Sequence, residues 1–489
     1  MAGVLILMAF GFGVVYSSFT LFLIHDLGFS NQAAFSLYST YASWFFTASI
    51  IGGFLGGRFG HRECVWIGCL LLFFAYIFFC FSKTLYFAAA LMDIGMGFFF
   101  PNAMIVVGHT RRKKTDAPSG GKHESQGEYQ VESQGESKRL NIAYILLYLS
   151  VNTGVFCGGL ASGMLGVEDF VQLFFLSAAF IILSLGLFIF AYPRIVFSPD
   201  SQSAFQAKEK KNKVRDFFIL CFTTLICVFF IGFVLKHEVL SNVCVITLGF
   251  FALTILLSLS FSQRFGLSFI ERQNLKCFVL IIVGTLFFWA LYNLEQSLLV
   301  GFFDQWVNKY FLGFFIPSSY LGSFNALCDI LIGVLLMTNL RHINKKFRNE
   351  TRAFFAIFFM GLAYLVLAIG IYFSLSQPVT SISIVWVLVA FFMMAISEMI
   401  IGPLSNALAI EYGPRALQGF LIGFTQLTSG VSGTLADYLT RFASFDTSMN
   451  RIEILKKFSH AFLIDAALGM SVGLCLLVGY GFFKYFKRL

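Results

Sequence analysis

The chain has 489 residues, of which 58% are hydrophobic, 18% aromatic and only 12% charged, and its mean hydropathy is +0.81. Soluble domains carry about a quarter charged residues, so water is excluded as the main solvent and the expected fold class is an all-α polytopic membrane protein. The net charge of +9 is not read as nucleic-acid binding, because the basic residues gather in loops on one side of the predicted spans.

Apolar runs near 3–25, 31–56, 64–82 and 85–108 predict the first four spans. Each approaches the ~20 residues that a bilayer core requires. The first run has no basic leader and is as long as the others, so it reads as a span and not as a cleavable signal. Residues 109–139 then break the rhythm with HTRRKKTDAPSGGKHESQGEYQVESQGESKR, in which ESQGE occurs twice. This composition cannot bury enough apolar surface to fold alone and predicts a disordered loop. Its TRRKK start suits anionic lipid at the membrane surface.

Spans five and six follow near 141–163 and 169–192. A polar break at 194–216 precedes two spans near 216–235 and 242–261. A shorter break precedes six more, near 276–300, 320–339, 353–375, 382–410, 416–439 and 459–483. The expected organisation is six, two and six: a bundle over 1–193, a linker with two extra spans over 194–274, and a second bundle over 275–489. Two six-helix bundles around a central path suit alternating access. Fourteen spans put both termini on one side. If that side is the cytoplasm, 27 of the 34 Lys and Arg residues are internal, and Lys83, Lys236, Lys309, Arg441, Arg451, Lys456 and Lys457 are external. The ten cysteines show no C-x-x-C spacing and read as small apolar residues, with no disulfide, metal site or cofactor expected.

Several motifs carry a resemblance. GFLGGRFGHR (53–62) resembles the loop motif of the major facilitator superfamily, with Gly53, Arg58, Gly60 and Arg62 in place and Gly57 where an Asp is usual. Its cations suit carbonyls at a helix C-terminus. GMGFFFPNAMIVVG (95–108) resembles the G-x-G-x-x-K-P-N segment of the proton-dependent oligopeptide transporter family, with Pro101 on the proline. YLSVNTGVFCGGLASG (148–163), FFWALYNLEQS (287–297), IPSSYLGSFNAL (316–327) and SEMIIGPLSNALAIEYGPRALQGFLIG (397–423) resemble later helices of that family, in order. Matches in the last include Glu398, Pro403, Pro414, Arg415, Gly419 and Gly423.

The resemblance implies a major facilitator fold in a bacterial inner membrane. It also implies transport of di- or tripeptides or similar small solutes, with protons as the coupling ion. Carried over residue by residue, it places Glu398 against a peptide amino group and puts Tyr148, Asn152 and Asn325 in the site. The departures concern charge. Leu5, Met8 and Ala9 fall where the family opens with charged residues, Phe46 replaces a tyrosine, Phe100 a lysine, Asn293 a carboxylate and Thr425 a tryptophan. Phe100 thereby removes a positive partner for a substrate carboxylate.

Five acids fall within spans or at their ends: Asp93, Glu295, Asp329, Glu398 and Asp465. Ionisable residues are costly there and usually face a bundle interior or a water-filled cavity. A carboxylate at Glu398 suits an ammonium; the alternative is a hydrogen bond to backbone freed by Pro403. Asp93, seven residues before Phe100 on the same helix face, reads either as a relocated protonation site facing the cavity or as a partner in a helix–helix hydrogen bond. Asn325 and Asp329 share a face. Asn293 and Gln296 share another, with Glu295 opposite and suited to helix–helix contact. The candidate proton carriers are Glu398, Asp93, Asp329 and Glu295. Two other functions stand beside peptide transport: a same-fold facilitator or exchanger for a different solute, and a non-transporting sensor using the 109–139 loop. G-x-S-x-G, H-E-x-x-H and P-loop patterns are lacking in the sequence, so an enzyme is not expected.

Overall fold

A computed structural model of the chain describes residues 1–108, 126–165, 170–194, 213–263, 266–346, 349–376, 381–414, 417–445 and 449–486. Their helices are α1 (Ala2–Asp26), α2 (Asn31–Phe59), α3 (His61–Phe79), α4 (Leu85–Gly108), α5 (Gln126–Leu165), α6 (Phe170–Ala191) and α7 (Lys213–Val234). They continue with α8 (Glu238–Phe261), α9 (Phe269–Trp306), α10 (Tyr320–Lys346), α11 (Asn349–Leu375), α12 (Ile384–Tyr412), α13 (Gln418–Thr440) and α14 (Arg451–Phe486). Each corresponds to one expected span. α5 begins at Gln126, inside the stretch expected to be a disordered loop. The Glu, Gln and Lys residues of that stretch are good helix formers, which the compositional reading discounted. Residues 109–125, with the TRRKK segment, lie outside the described residues.

Twelve of the helices are long and apolar enough to cross a membrane on their own composition. The two that fall short, α2 and α13, pack on one another and line the centre. α2 buries Ser36, Ser39, Thr40, Ser43, Thr47 and Ser49, which lowers its hydropathy. The hydroxyls of Ser43 and Thr47 donate back to carbonyls one turn earlier, at 2.9 and 2.7 Å, so they remain satisfied away from water. Gly430 and Gly433 of α13 make the approach possible: a Cβ would stand 2.2 Å from Thr47 Oγ1 at the first and 2.3 Å from Ser43 Oγ at the second. Small residues at such a contact let membrane helices meet closely.

Pro101 has a similar explanation. α4 runs through it without breaking. Pro101 has no N–H to give the Gly97 carbonyl, and that carbonyl abuts α2 at Gly52, where an added Cβ would lie only 1.9 Å away. Asn102 then ties the helices together: its Nδ2 donates to Gly52 O at 3.0 Å and Phe98 O at 2.7 Å, and its Oδ1 lies 2.6 Å from His61 Nδ1. Gly53 lies beside Pro101 in the same contact. Gly60 turns the chain between α2 and α3 at φ +120°, a conformation that favours glycine. Arg62 differs from expectation. It stacks over Trp66 and Tyr192, 4.7 and 5.2 Å from their centroids, because those rings stand beside it at the start of α3. The side chain of Arg58 lies outside the described residues.

The six-plus-two-plus-six arrangement places α1–α6 on one side of a central cavity and α9–α14 on the other. The extra pair is pinned to both halves. Trp44 Nε1 of α2 donates to Ser241 Oγ of α8 at 2.6 Å, and Asn242 Nδ2 of α8 donates to Asp437 Oδ2 of α13 at 3.2 Å. α7 exposes Phe217, Phe218, Phe222 and Phe229, an outer surface suited to lipid.

Polar contacts join the halves at the end of the bundle opposite both termini. There Asp304 at the end of α9 accepts from Lys309 Nζ at 2.7 Å and Ser318 Oγ at 2.6 Å, and lies 2.9 Å from His25 Nε2 at the end of α1. Asn31 and Gln305 exchange hydrogen bonds, Gln32 reaches Thr440, and Ser323 Oγ donates to Phe156 O at 3.0 Å. This end is closed.

Candidate solute cavity

The cavity lies between α1, α2, α4 and α5 of the first half and α9, α10, α12 and α13 of the second. It encloses about 160 Å³, which is on the order of ten times what one water needs by the same measure. Space for a small solute is therefore present near the middle of the bundle.

Glu398 of α12 is its chemical centre and is 3% exposed. Its Oε1 accepts from the Tyr148 hydroxyl of α5, and its Oε2 accepts from Asn325 Nδ2 of α10 at 3.2 Å. Tyr292 of α9 also lies against it, and Tyr292 in turn receives a hydrogen bond from Tyr16 of α1 at 2.7 Å. Tyr148 and Tyr16 from the first half and Asn325 and Tyr292 from the second are thus linked through the Glu398 carboxyl. Asp329, one turn beyond Asn325, lies beside Glu398, yet neither of its oxygens has a hydrogen-bond donor among the described residues. Contact between two carboxyl groups becomes a hydrogen bond only when one carries a proton, so this geometry is suited to sharing one. Among the described residues the partners of Glu398 are side chains, and not the backbone freed by Pro403 that the alternative expected.

Tyr148, Asn152, Asn325, Asn293, Phe100 and Glu398 all line the cavity. Asn293 Nδ2 donates to Ser432 Oγ of α13 at 3.1 Å, while Asn152 Nδ2 and Asn325 Oδ1 have no partner among the described residues. Asp93, Asp329 and Glu295 do not line it. Asp93 shares a face with Phe100 but sits two turns nearer the closed end, behind Tyr41. Both of its oxygens and the hydroxyls of Tyr41 and Tyr76 are buried without partners among the described residues. Glu295 opens a π turn, Glu295–Leu299, that interrupts the α-helical register of α9. Its carboxylate lies within electrostatic reach of Tyr38 and Tyr16, so it sits where the halves meet.

Tyr16, Tyr38, Tyr41 and Tyr292 were not singled out in the sequence, although all four line the cavity. Three of them fall on α1 and α2, where polar-tipped rings interrupt otherwise apolar or hydroxyl-bearing stretches. That spacing is the available signal, but a tyrosine in a span equally marks a membrane interface.

The fold recurs in solved proteins. The structure matches a crystal structure of peptide transporter POT in complex with sulfate with a TM-score of 0.77 at 17% identity, covering 99% of this chain and 94% of that one. It matches a POT family transporter in complex with 5-aminolevulinic acid equally, with a TM-score of 0.77 at 17% identity and coverage of 98% and 94%. In sequence, the chain is 22% identical over 475 residues to dipeptide and tripeptide permease A of Chromobacterium violaceum, spanning 96% of this chain and 89% of that protein. It is also 22% identical over 445 residues to dipeptide and tripeptide permease B of Salmonella typhimurium, spanning 89% and 84%. The family model of the Major Facilitator Superfamily matches residues 1–436, and the protein belongs to that superfamily.

Proposed function

We propose that the protein is a divergent relative of the proton-dependent oligopeptide transporters that moves small peptide-like, amine-bearing solutes by alternating access. The observation that carries this reading is the Glu398 carboxyl, held at the cavity centre by Tyr148 of one half and Asn325 of the other. A substrate ammonium entering there meets an acid already oriented to receive it, and competes for the bonds that join the halves. The names of the permeases it resembles support peptides as the solute class.

The domains act as proposed from the sequence: 1–193 and 275–489 rock against each other, with 194–274 between them. Protons are the proposed coupling ion, with the Glu398–Asp329 pair as one site and Asp93 as a second. The membrane is proposed to be a bacterial inner membrane with both termini cytoplasmic, which makes the present closed end external and the cavity inward-facing.

The test uses purified protein in liposomes, an imposed inward proton gradient, and labelled di- and tripeptides. Gradient-driven uptake lost in Glu398→Gln supports the reading; no uptake of any peptide by folded protein sinks it. A facilitator or exchanger for another solute is the second reading, favoured by the uncharged Phe100. Uptake that continues after the gradient collapses selects it.

A further inference from the structure

We propose, building on the reading of this cavity as a solute site, that it selects small amines whose far end is uncharged and apolar over free zwitterionic peptides. The two walls of the cavity differ in kind. Glu398 is the one charged side chain among the described residues that line it, and it belongs to the second half. No lysine, arginine or histidine is among them. The facing wall, from the first half, carries Met8, Phe12, Phe46, Met96, Phe100 and Met104, with only neutral polar groups such as the hydroxyls of Tyr16, Tyr38, Tyr41 and Ser49 beside them.

A free peptide brings an ammonium and a carboxylate into the same space. The ammonium finds Glu398. The carboxylate must leave water for a wall of thioethers, rings and a few neutral donors without a cation, and a charge without a counter-charge in such a setting is disfavoured. A C-terminal amide avoids that loss. Its carbonyl is a neutral acceptor, and the unpartnered Asn152 Nδ2 is a donor on this wall that suits it. Methionines adapt to ligands of different shape and rings offer apolar area, so the wall accommodates a range of uncharged ends. The shared requirement is one ammonium and no free carboxylate.

The experiment compares alanylphenylalanine with its C-terminal amide, both by uptake into proteoliposomes above protein-free liposomes and by heat stabilisation of the purified protein. The amide is expected to be taken up with at least about tenfold higher kcat/KM, the equivalent of about 1.4 kcal/mol. In Phe100→Lys, which returns a cation to this wall, the preference is expected to move toward the free peptide. Equal uptake of the two probes, or a preference for the free peptide, overturns the inference. Stabilisation by the amide alone, without uptake of either probe, supports this selectivity and overturns the transport reading. Neither uptake nor stabilisation overturns both. The wild-type comparison stands even if Phe100→Lys does not fold.

Discussion

The hydroxyl of Tyr16 on α1 meets that of Tyr292 on α9 at 2.7 Å, and Tyr292 lies against Glu398. This bond runs from one half of the transporter to the other across the cavity. It must break when the halves separate on this side, so it contributes to holding the present closed state. In Tyr16→Phe the loss of one such bond, about 1 kcal/mol, moves the equilibrium roughly fivefold toward the alternate state. Hydrogen exchange at residues 26–31, which sit at the closed end, is expected to accelerate accordingly. Unchanged exchange there means the bond does not govern the closure.

The closed end itself rests on Asp304, which gathers His25, Lys309 and Ser318. The His25 and Lys309 side chains are 44% and 22% exposed, so solvent screens the Lys309 ion pair and competes for the His25 hydrogen bond, and each contributes at most about 1 kcal/mol. Asp304→Asn is expected to loosen this end modestly and additively with Tyr16→Phe, since the two sites share no partner. A double variant that behaves as Tyr16→Phe alone in the same exchange measurement removes Asp304 from the closure.

At Glu398, Tyr148 and Asn325 supply one bond each. Tyr148→Phe removes a hydrogen bond to a carboxyl, an interaction of about 1.5–3 kcal/mol when the acceptor is charged. Solute kcat/KM is expected to fall about ten- to a hundredfold, less than for Glu398→Gln. Gly402→Ala acts on the same bond indirectly, because its Cβ would come within 3.1 Å of the Tyr148 hydroxyl. A smaller defect is expected from it. A full loss in Gly402→Ala with little effect in Tyr148→Phe contradicts this assignment.

Much of this site was legible in the sequence, and what was not has physical causes. Glu398, Asn325 and Tyr148 were expected from separate motifs, and they meet because α5, α10 and α12 bring them to one level. Asp329 followed from its spacing to Asn325, but its contact with Glu398 depends on how α10 packs on α12, which periodicity does not encode. The π turn at Glu295–Leu299 was invisible for a related reason. α9 is apolar around most of its circumference, so inserting a residue leaves no mark in the hydrophobic pattern. Arg62 was read as a capping cation, whereas the ring at Tyr192 that it also faces lies far along the chain.

The α2–α4 contact allows a sharp test of packing. A Cβ on Gly52 would stand 1.9 Å from the Gly97 carbonyl, with backbone on both sides and no flexible side chain to yield. Gly52→Ala is expected to cost about 1–3 kcal/mol or more, seen as a lower unfolding temperature in detergent. Gly186→Ala on α6 is the control, since nothing lies within 4 Å of its added carbon. Equal stability of the two variants contradicts the close approach that Pro101 permits.

The fold keeps Asp93, an acid, where it makes no hydrogen bond among the described residues. The hydroxyls of Tyr41 and Tyr76 are likewise buried without partners among those residues. An acid within a span costs about 2.5–3.5 kcal/mol on insertion scales, a burden that packing alone does not explain. Tyr41 also lines the cavity, so it stands between Asp93 and the solute. If Asp93 carries the coupling proton, Asp93→Asn abolishes gradient-driven accumulation while solute exchange across liposomes without a gradient persists. Tyr41→Phe, which keeps the ring and removes the hydroxyl, is expected to slow the driven step and spare exchange. If Asp93 is only structural, Asp93→Asn leaves driven uptake unchanged and affects heat stability alone. Measuring driven uptake, exchange and stability on the same preparations separates the two roles.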